Sequence, residues 1–133
     1  MRHLILDYSL VRFAIVGMGG FVVDSTVFSL LFVYLELPLV TARVVAFVAA
    51  ATATYLGNRL FTFQNKSEDR LAQFIKYFAV VSFSAVPNLL VFKLLTMLFW
   101  QNNLGVAIAF VSGILIGMLS NFVLSRSLVF KVA

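Results

Sequence analysis

Cysteine is absent from this 133-residue sequence, and histidine occurs only once. These shortages exclude disulfide bonds and thiolate-bound metals and leave too few ligands for an ordinary zinc site, so no metal and no cofactor is expected. Charge is also scarce, because charged residues make up 11% of the chain whereas soluble domains average about 25%. With 62% hydrophobic residues, the sequence cannot cover a water-exposed surface and indicates a membrane protein.

Four long apolar runs account for nearly all of the chain. A hydrocarbon core about 30 Å thick needs about 20 apolar residues per helix, and four runs reach that length, at residues 13–35, 39–60, 74–100 and 104–124. No small-x-small cleavage site follows the first run, so we interpret it as an uncleaved helix rather than a secretory signal. The sequence therefore predicts an all-α membrane protein with four transmembrane helices in a single domain, 1–133.

The basic residues predict the orientation of these helices. One side of the membrane receives only Arg43, whereas the N-terminus, the loop after the second run and the C-terminal tail hold Arg2, Arg12, Arg59, Lys66, Arg70, Lys76, Arg126 and Lys131. By the positive-inside rule, both termini and the central loop are cytoplasmic. Orientation and attraction to anionic membrane lipids explain the net charge of +5, so no nucleic-acid partner is expected.

The second half of the sequence resembles the first, as a duplicated helical hairpin would. Offsets of 64 and 67 residues superpose polar positions: Arg12 on Lys76, Asp24 on Asn88, Asn58 on Ser125 and Arg59 on Arg126. Each unit has two helices, so both copies enter the membrane in the same direction and form a parallel repeat. This geometry predicts that the paired polar residues lie at equal depths around a common centre.

Small residues recur at every fourth position in the second and fourth runs. Such small-xxx-small stripes let helix backbones approach closely inside a membrane, so we interpret them as packing seams. They also permit self-association, and a homo-oligomer is expected. The positions are Ala42, Ala46, Ala50 and Thr54 in the second run and Ala109, Gly113, Gly117 and Asn121 in the fourth.

Asp24 lies 12 positions beyond Arg12, the predicted inner boundary. That separation is roughly 18 Å along a helix and places the carboxylate near the middle of the membrane, where a charge costs about 3 kcal/mol on insertion scales. Asp24 is therefore either a structural acid, protonated or paired with a neighbour, or a functional group. In the functional interpretation, Asp24 and Asn88 line a polar pocket and hydrogen-bond the hydroxyl groups of a ligand.

Lys93 and Arg43 are two further charges within the apolar runs. The long side chain of Lys93 can extend to the outer interface, or its ammonium can pair with Asp24 or with an anionic ligand. Arg43 begins the second helix on the outer side and can pair with Glu36. An outer-facing phosphate or lipid contact is the alternative for Arg43.

Arg59 and Arg126 close the second and fourth runs. Basic residues at cytoplasmic helix ends are ordinary anchors and also suit the helix dipole. Together with Arg12 and Lys76 at the same level, they could instead surround an anionic headgroup, because guanidinium binds phosphate in a bidentate manner.

Pro87 precedes Asn88 in the third run. Proline has no N–H, so it frees a backbone carbonyl about one turn earlier, near Phe83. We expect a kink there, and a membrane tolerates such a break only where helices or a cavity satisfy the freed group.

The end of the second run carries the most specific motif, which extends from Thr54 to Phe63 and includes Asn58-Arg59-Leu60-Phe61-Thr62-Phe63. A degenerate copy in the fourth run extends from Asn121 to Phe130, with Asn121 at the position of Thr54 and Arg126 at the position of Arg59. With residues 11–17 of the first run, these motifs resemble the GtrA-like family of four-helix membrane proteins over nearly the whole chain. Asp24 and Asn88 are similar to the polar pair of that family. The sequence departs from the family pattern at Thr54 and Phe61, where the family has Asn and Trp.

The resemblance implies translocation of a polyprenyl-phosphate-linked sugar across the cytoplasmic membrane, for biosynthesis or modification of a cell-surface polysaccharide. Membrane lipids are the other expected partners. On this hypothesis phosphate is captured inside by Arg12, Arg59, Lys76 and Arg126, sugar hydroxyls are bound midway by Asp24 and Asn88, and phosphate is received outside by Lys93 or Arg43. Asn58 and Asn121 complete the predicted substrate-binding residues.

Two other function classes stay open. The chain could be a membrane anchor that recruits a polyprenyl-phosphate glycosyltransferase through the loop 64–73 and transports nothing. It could also be a small proton-coupled exporter, in which Asp24 exchanges a proton for a cationic drug. An enzyme is not expected, because no nucleophile-base pair or metal cluster can be assembled from the sequence.

Overall fold

The computed structural model of the protein describes residues 2–99 and 102–131, with side chains for 8–98 and 102–131. Four long helices occupy these ranges: α1 (Arg2–Ser29), α2 (Leu39–Gly57), α3 (Arg70–Phe99) and α4 (Asn103–Leu124). No strand occurs within the described ranges. The predicted all-α architecture is confirmed.

All four helices are long and apolar enough to cross a membrane. Helices α2, α3 and α4 match the predicted runs to within four residues at each end, whereas α1 begins at Arg2, well before the predicted start at residue 13, and ends at Ser29. Large apolar side chains such as Phe21 and Leu98 are 70% and 72% exposed, as a lipid-facing surface requires. Trp100, the predicted end of the third run, lies outside the described residues, as does the side chain of Arg2. The spans are Tyr8–Tyr34, Leu39–Thr62, Arg70–Leu98 and Asn103–Val129.

The chain divides into two compact units, Met1–Phe74 and Ile75–Ala133. The first unit contains α1, α2 and the start of α3, and the second contains the rest of α3 and α4. The division falls close to the boundary between the two predicted repeats. The duplication, the single-domain assignment and the cytoplasmic placement of the termini stay predictions.

The stripe of small residues on α2 is a packing seam in the first unit. Ala42 and Ala46 have no exposed surface. A Cβ added at Gly20 of α1 would overlap the Cγ2 methyl of Thr54, so the two backbones approach more closely than an alanine would allow. The Thr54 hydroxyl donates to the carbonyl of Ala50 at 2.9 Å, which holds that methyl group against α1.

The corresponding stripe on α4 packs in the second unit. Ala109, Gly113 and Gly117 are buried. A Cβ added at Gly117 would lie 2.8 Å from the Cβ of Asn88, and one added at Gly113 would lie 2.8 Å from the backbone oxygen of Asn88. The interpretation of both stripes as seams is confirmed, and the glycines of α4 make the space that Asn88 occupies.

Three apolar segments end in the same way, with a widened π-helical turn followed by a residue in the left-handed region. The turns are Leu30–Tyr34, Asn58–Thr62 and Ser125–Val129. The left-handed residues are Glu36, Gln64 and Lys131, with φ values of 53°, 48° and 45°. The amide of Leu35 donates to the carbonyl of Leu30 at 3.0 Å, and that of Leu37 donates to Leu31 at 2.9 Å. Carbonyls that would otherwise be orphaned at the helix end are thereby satisfied.

An aromatic pair lies near the π-helical end of each hairpin. The ring centroids of Phe13 and Phe63 are 6.2 Å apart, and those of Tyr77 and Phe130 are 6.0 Å apart. Phe13, Tyr77 and Phe130 are 3% exposed or less. The sequence offsets of 64 and 67 carry the first pair onto the second, so equivalent positions make equivalent contacts in the two units.

Candidate substrate-binding residues

Asp24 and Arg43 form an ion pair between α1 and α2. The Asp24 carboxylate accepts a hydrogen bond from Arg43 Nη1 at 3.1 Å, and the two side chains are 21% and 49% exposed. The guanidinium carbon of Arg43 also lies 4.9 Å from the ring centroid of Phe28, one turn from Asp24 on α1. Phe28 in turn stacks on Phe32 at 5.3 Å. The guanidinium of Arg43 therefore contacts both a carboxylate and an aromatic ring of α1.

The partner of Arg43 differs from the sequence-based suggestion of Glu36. Glu36 is exposed and lies in the left-handed stop after α1, whereas Arg43 lies in the second turn of α2 and reaches α1. Pairing with Asp24 lowers the cost of keeping either charge in an apolar layer. Of the two interpretations of Asp24, the structure agrees with an acid paired with a neighbour, and a role in substrate binding stays a prediction.

Arg59 is almost fully buried, and its guanidinium is hydrogen-bonded to other residues of the chain. The side chain is 6% exposed and donates to the Gln73 side-chain oxygen and to the carbonyl of Ser67. The same Gln73 oxygen accepts from the Tyr55 hydroxyl at 2.9 Å, and the Gln73 amide donates to Asn65 at 2.9 Å. Arg59 thus fastens the following loop and the start of α3 to the end of α2.

Asn58 has a similar local role. It is 2% exposed, and its side-chain oxygen accepts from the Thr62 hydroxyl at 2.8 Å across the π-helical turn. The motif at the end of α2 therefore has a structural explanation, since Asn58 stabilises the turn and Arg59 holds the loop. Sequence reasoning missed Gln73, a buried polar residue in the first turn of an apolar helix, and that position was the available signal.

Arg126, at the position equivalent to Arg59, has a different environment. Its Nη1 atom is buried and has no hydrogen-bond partner among the described residues, and the residue as a whole is half-buried. The neighbouring Ser125 has no exposed surface and donates to the Asn121 side-chain oxygen at 2.9 Å. Asn121 and Ser125 are thus paired with each other, while the Arg126 guanidinium retains an unused donor.

The remaining cations are more accessible. Arg12 is half-buried, and its Nη1 lies 3.4 Å from the carbonyl oxygen of Phe61, with the guanidinium carbon 5.2 Å from the Phe61 ring centroid. Lys76 and Lys93 are exposed. Arg12 belongs to the first unit and Lys76 to the second, so the proposed gathering of cations around one headgroup stays a prediction.

An open groove of about 430 Å³ lies between α3 and α4 in the second unit. Ser84 is 4% exposed, and its hydroxyl has no partner within the described part of the chain. Helix α3 runs without interruption through Pro87. Sequence reasoning missed this groove, although Pro87 indicated a free carbonyl at its edge. The lining residues are Phe83, Ser84, Pro87, Leu119, Ser120, Val123 and Leu124.

Asn88 lies one turn beyond Ser84 on α3. It is half-buried against Gly113 and Gly117, and its side chain makes no hydrogen bond to the rest of the described chain. Among the described side chains, no cluster of His, Asp and Glu could hold a metal ion.

A sequence model of the family described as GtrA/DPMS, transmembrane domain, matches residues 12–130. The match includes all three π-helical turns and all ten predicted substrate-binding residues. No curated protein matches the chain.

Proposed function

Because the chain belongs to the GtrA/DPMS transmembrane-domain family, we propose that it moves a polyprenyl-phosphate-linked sugar between the leaflets of the cytoplasmic membrane. Membership indicates a membrane role connected with polyprenyl-phosphate sugars, and members are typically non-catalytic. The isoprenoid chain stays in lipid, so only the sugar and the phosphate need a polar route.

The observation that carries this proposal is the ion pair of Asp24 and Arg43 within two apolar spans. A phosphate that reaches Arg43 can replace the Asp24 carboxylate as its anionic partner, so Arg43 is never left without a counter-charge. The released carboxylate of Asp24 then accepts hydrogen bonds from sugar hydroxyls. The exchange keeps charge balanced inside the membrane, where an unpaired charge is costly.

We assign the other predicted site residues to two groups. Arg59 and Asn58 hold the α2–α3 loop and are not assigned to substrate. Arg12, Lys76 and Arg126 remain as phosphate-binding groups on the cytoplasmic side, with Asn121 beside Arg126. Asn88 hydrogen-bonds the sugar midway across the membrane, and Lys93 binds the phosphate on the outer side. Consumption of the sugar outside would give the transport its direction, and the buried seams are compatible with a homo-oligomer.

Reconstituted liposomes test the proposal with a defined polyprenyl-phosphate hexose supplied in one leaflet. We expect Asp24→Ala to lower the rate at which the hexose becomes accessible in the other leaflet by tenfold or more, that is by about 1.4 kcal/mol or more in the barrier. Glu68→Ala, which removes an exposed loop carboxylate, should transport normally. Thermal unfolding of both variants separates loss of transport from loss of folding. Normal transport by folded Asp24→Ala protein would refute the proposed exchange.

A second candidate function is supported by the loop that Arg59 holds. Lys66, Glu68, Asp69 and Arg70 are exposed on this loop, and its attachment to Arg59 gives a charged surface of defined shape. Such a surface could recruit a membrane glycosyltransferase. An anchor of this kind would co-purify with the enzyme and show no transport in liposomes, whereas charge reversals at Lys66 and Glu68 would abolish co-purification.

The proton-coupled exporter has less support. It requires an acid that alternates between a proton and a cationic drug. Asp24 already forms an ion pair with Arg43 at 3.1 Å, and a cationic drug would have to displace that arginine. Drug-dependent proton flux in the same liposomes would favour this class over transport of a lipid-linked sugar.

A further inference from the structure

The groove between α3 and α4 presents two hydroxyls that have no hydrogen-bond partner in the described chain, together with a backbone carbonyl whose usual helical donor is missing because of a proline. The Ser84 hydroxyl is buried and unpaired, and the Ser120 hydroxyl, also in the groove wall, bonds to nothing else in the described chain. Pro87 has no N–H to offer the carbonyl of Phe83. Elsewhere in the helices, hydroxyls such as those of Thr52 and Ser127 bond to a carbonyl one turn earlier.

These groups suit a ligand that carries hydroxyls on an otherwise apolar face. A hydroxyl can donate to the Phe83 carbonyl and accept from Ser84 or Ser120. The rest of the wall is apolar and includes Pro87 and Val123, against which the C–H face of a sugar ring can pack. The volume of about 430 Å³ lies within the range of small-molecule pockets, about 300–1,000 Å³.

A cation follows the groove-lining part of α4 in the chain, in the π-helical turn Ser125–Val129. Val123 and Leu124, the last two residues of α4, line the groove, and Arg126 lies two positions beyond Leu124 in the chain. In a glycosyl phosphate the phosphate is bonded to the anomeric carbon of the sugar, so a cation close in sequence to the sugar-binding wall can bind it. The unused Nη1 of Arg126 supplies a charged donor for that phosphate.

The first unit lacks the same combination. Gly20, at the position equivalent to Ser84, has no hydroxyl, and Thr54 fills the space beside it. Arg59, the equivalent of Arg126, is occupied by Gln73 and Ser67. The unsatisfied polar groups are therefore concentrated in one of the two related hairpins.

We propose that α3 and α4 form the binding site for the glycosyl phosphate, with Arg126 on the phosphate and Ser84, Ser120 and the Phe83 carbonyl on sugar hydroxyls. This assignment rests on the proposed function, and it makes the second hairpin the substrate-recognising half. The first hairpin supplies the Asp24–Arg43 pair and the fastened loop. Arg126, rather than Arg59, is the phosphate-binding arginine of the repeated motif.

Equilibrium binding by the purified full chain in detergent tests the site with two probes, farnesyl-phosphate-linked glucose and farnesyl phosphate. Arg126→Gln removes a charged donor, so it should weaken both probes by about tenfold or more. The double variant Ser84→Ala with Ser120→Ala removes two neutral hydrogen bonds, so it should weaken only the glucose probe, by about fivefold or more. Ser82→Ala and Arg70→Gln, at exposed positions, are the matched controls and should bind as the unaltered chain does.

Each outcome has a defined meaning. Equal binding of the two probes by the unaltered chain, or unchanged binding by the serine and Arg126 variants, would overturn the site. Loss of sugar discrimination in the serine variant, with farnesyl phosphate binding retained, would support it. The liposome assay on the same preparations separates the two proposals. If the unaltered chain transports the lipid-linked sugar but the groove variants bind the probes normally, the site alone is refuted. If the unaltered chain neither binds the probes nor transports, both proposals are refuted.

Discussion

Asp24 and Arg43, 19 residues apart in sequence, meet at 3.1 Å with Phe28 beneath the guanidinium. Each charge alone would be costly inside an apolar hairpin, and together they form a neutral unit held between α1 and α2. In the second unit the equivalent positions of Phe28 and Arg43 are Phe92 and Phe110, whose rings are 6.4 Å apart and nearly perpendicular. A pair of aromatic rings in the second hairpin thus replaces the contact between a guanidinium and a ring in the first. At these equivalent positions only the first hairpin has a charged side chain.

The ion pair predicts coupled effects of mutation. Arg43→Gln leaves the Asp24 carboxylate without its partner, and Asp24→Asn leaves the guanidinium alone, so each should lower the free energy of unfolding by about 2 kcal/mol, between the values for exposed and buried pairs. The double variant should lose much less than the sum. Unfolding in detergent, analysed as a double-mutant cycle, measures the coupling, and strictly additive losses would contradict the pair.

The two arginines of the repeated motif should differ in their effect on stability. Arg59→Ala removes two hydrogen bonds from a buried guanidinium and leaves Gln73 partly unsatisfied, so we expect a loss of about 3 kcal/mol. Arg126→Ala removes a group whose buried nitrogen has no partner, so its loss should stay below about 1 kcal/mol. Lys66→Ala on the exposed loop is the control. Equal destabilisation by both arginine variants would count against the distinction made between them.

The seam of the first unit predicts a rescue. Gly20→Ala places a methyl group where the Cγ2 atom of Thr54 lies, and overpacking of this kind costs about 1–3 kcal/mol. Thr54→Ser keeps the hydroxyl and removes that methyl group, so it should restore most of the stability in the double variant. Gly19→Ala, with nothing within 4 Å of the added carbon, should be neutral or slightly stabilising. Failure of Thr54→Ser to rescue would show that another contact limits the approach of the helices.

Orientation can be tested directly because the chain has no cysteine. Glu36 and Lys66 are exposed and lie in the connections predicted to face opposite sides of the membrane. A membrane-impermeant maleimide should label Glu36→Cys from outside, and Lys66→Cys only after permeabilisation. The reverse labelling would invert the predicted topology, and labelling of both from one side would contradict it.

The helices and their seams could be predicted because both signals are local. Runs of about 20 apolar residues are enough to indicate a span, and a four-residue repetition of small side chains indicates a helix contact. The buried Ala46 and Gly113 are therefore where the sequence pattern placed them. The recurrence of Asn-Arg and Ser-Arg pairs likewise indicated which helix ends correspond.

The partners of the charged residues were harder to predict because they depend on three-dimensional proximity. Charge alone could not choose among Glu36, Asp24 and a lipid as the partner of Arg43. Nor could it show that Gln73, 14 residues beyond Arg59, would occupy that guanidinium while Arg126 kept a free nitrogen. Ser84 likewise is ordinary by sequence, and only the packing of α3 on α4 makes its hydroxyl a buried, unpaired group.

The left-handed residues that follow the three π-helical turns are positions at which substitution can make the protein more stable for structural work. Glu36, Gln64 and Lys131 hold positive φ values that side chains with a Cβ adopt at a cost of about 1 kcal/mol and glycine adopts freely. Replacing all three with glycine should raise the melting temperature while leaving the lipid-facing surfaces, the ion pair and the groove untouched. Damaging changes, Arg59→Ala above all, could then be studied in a background that still folds.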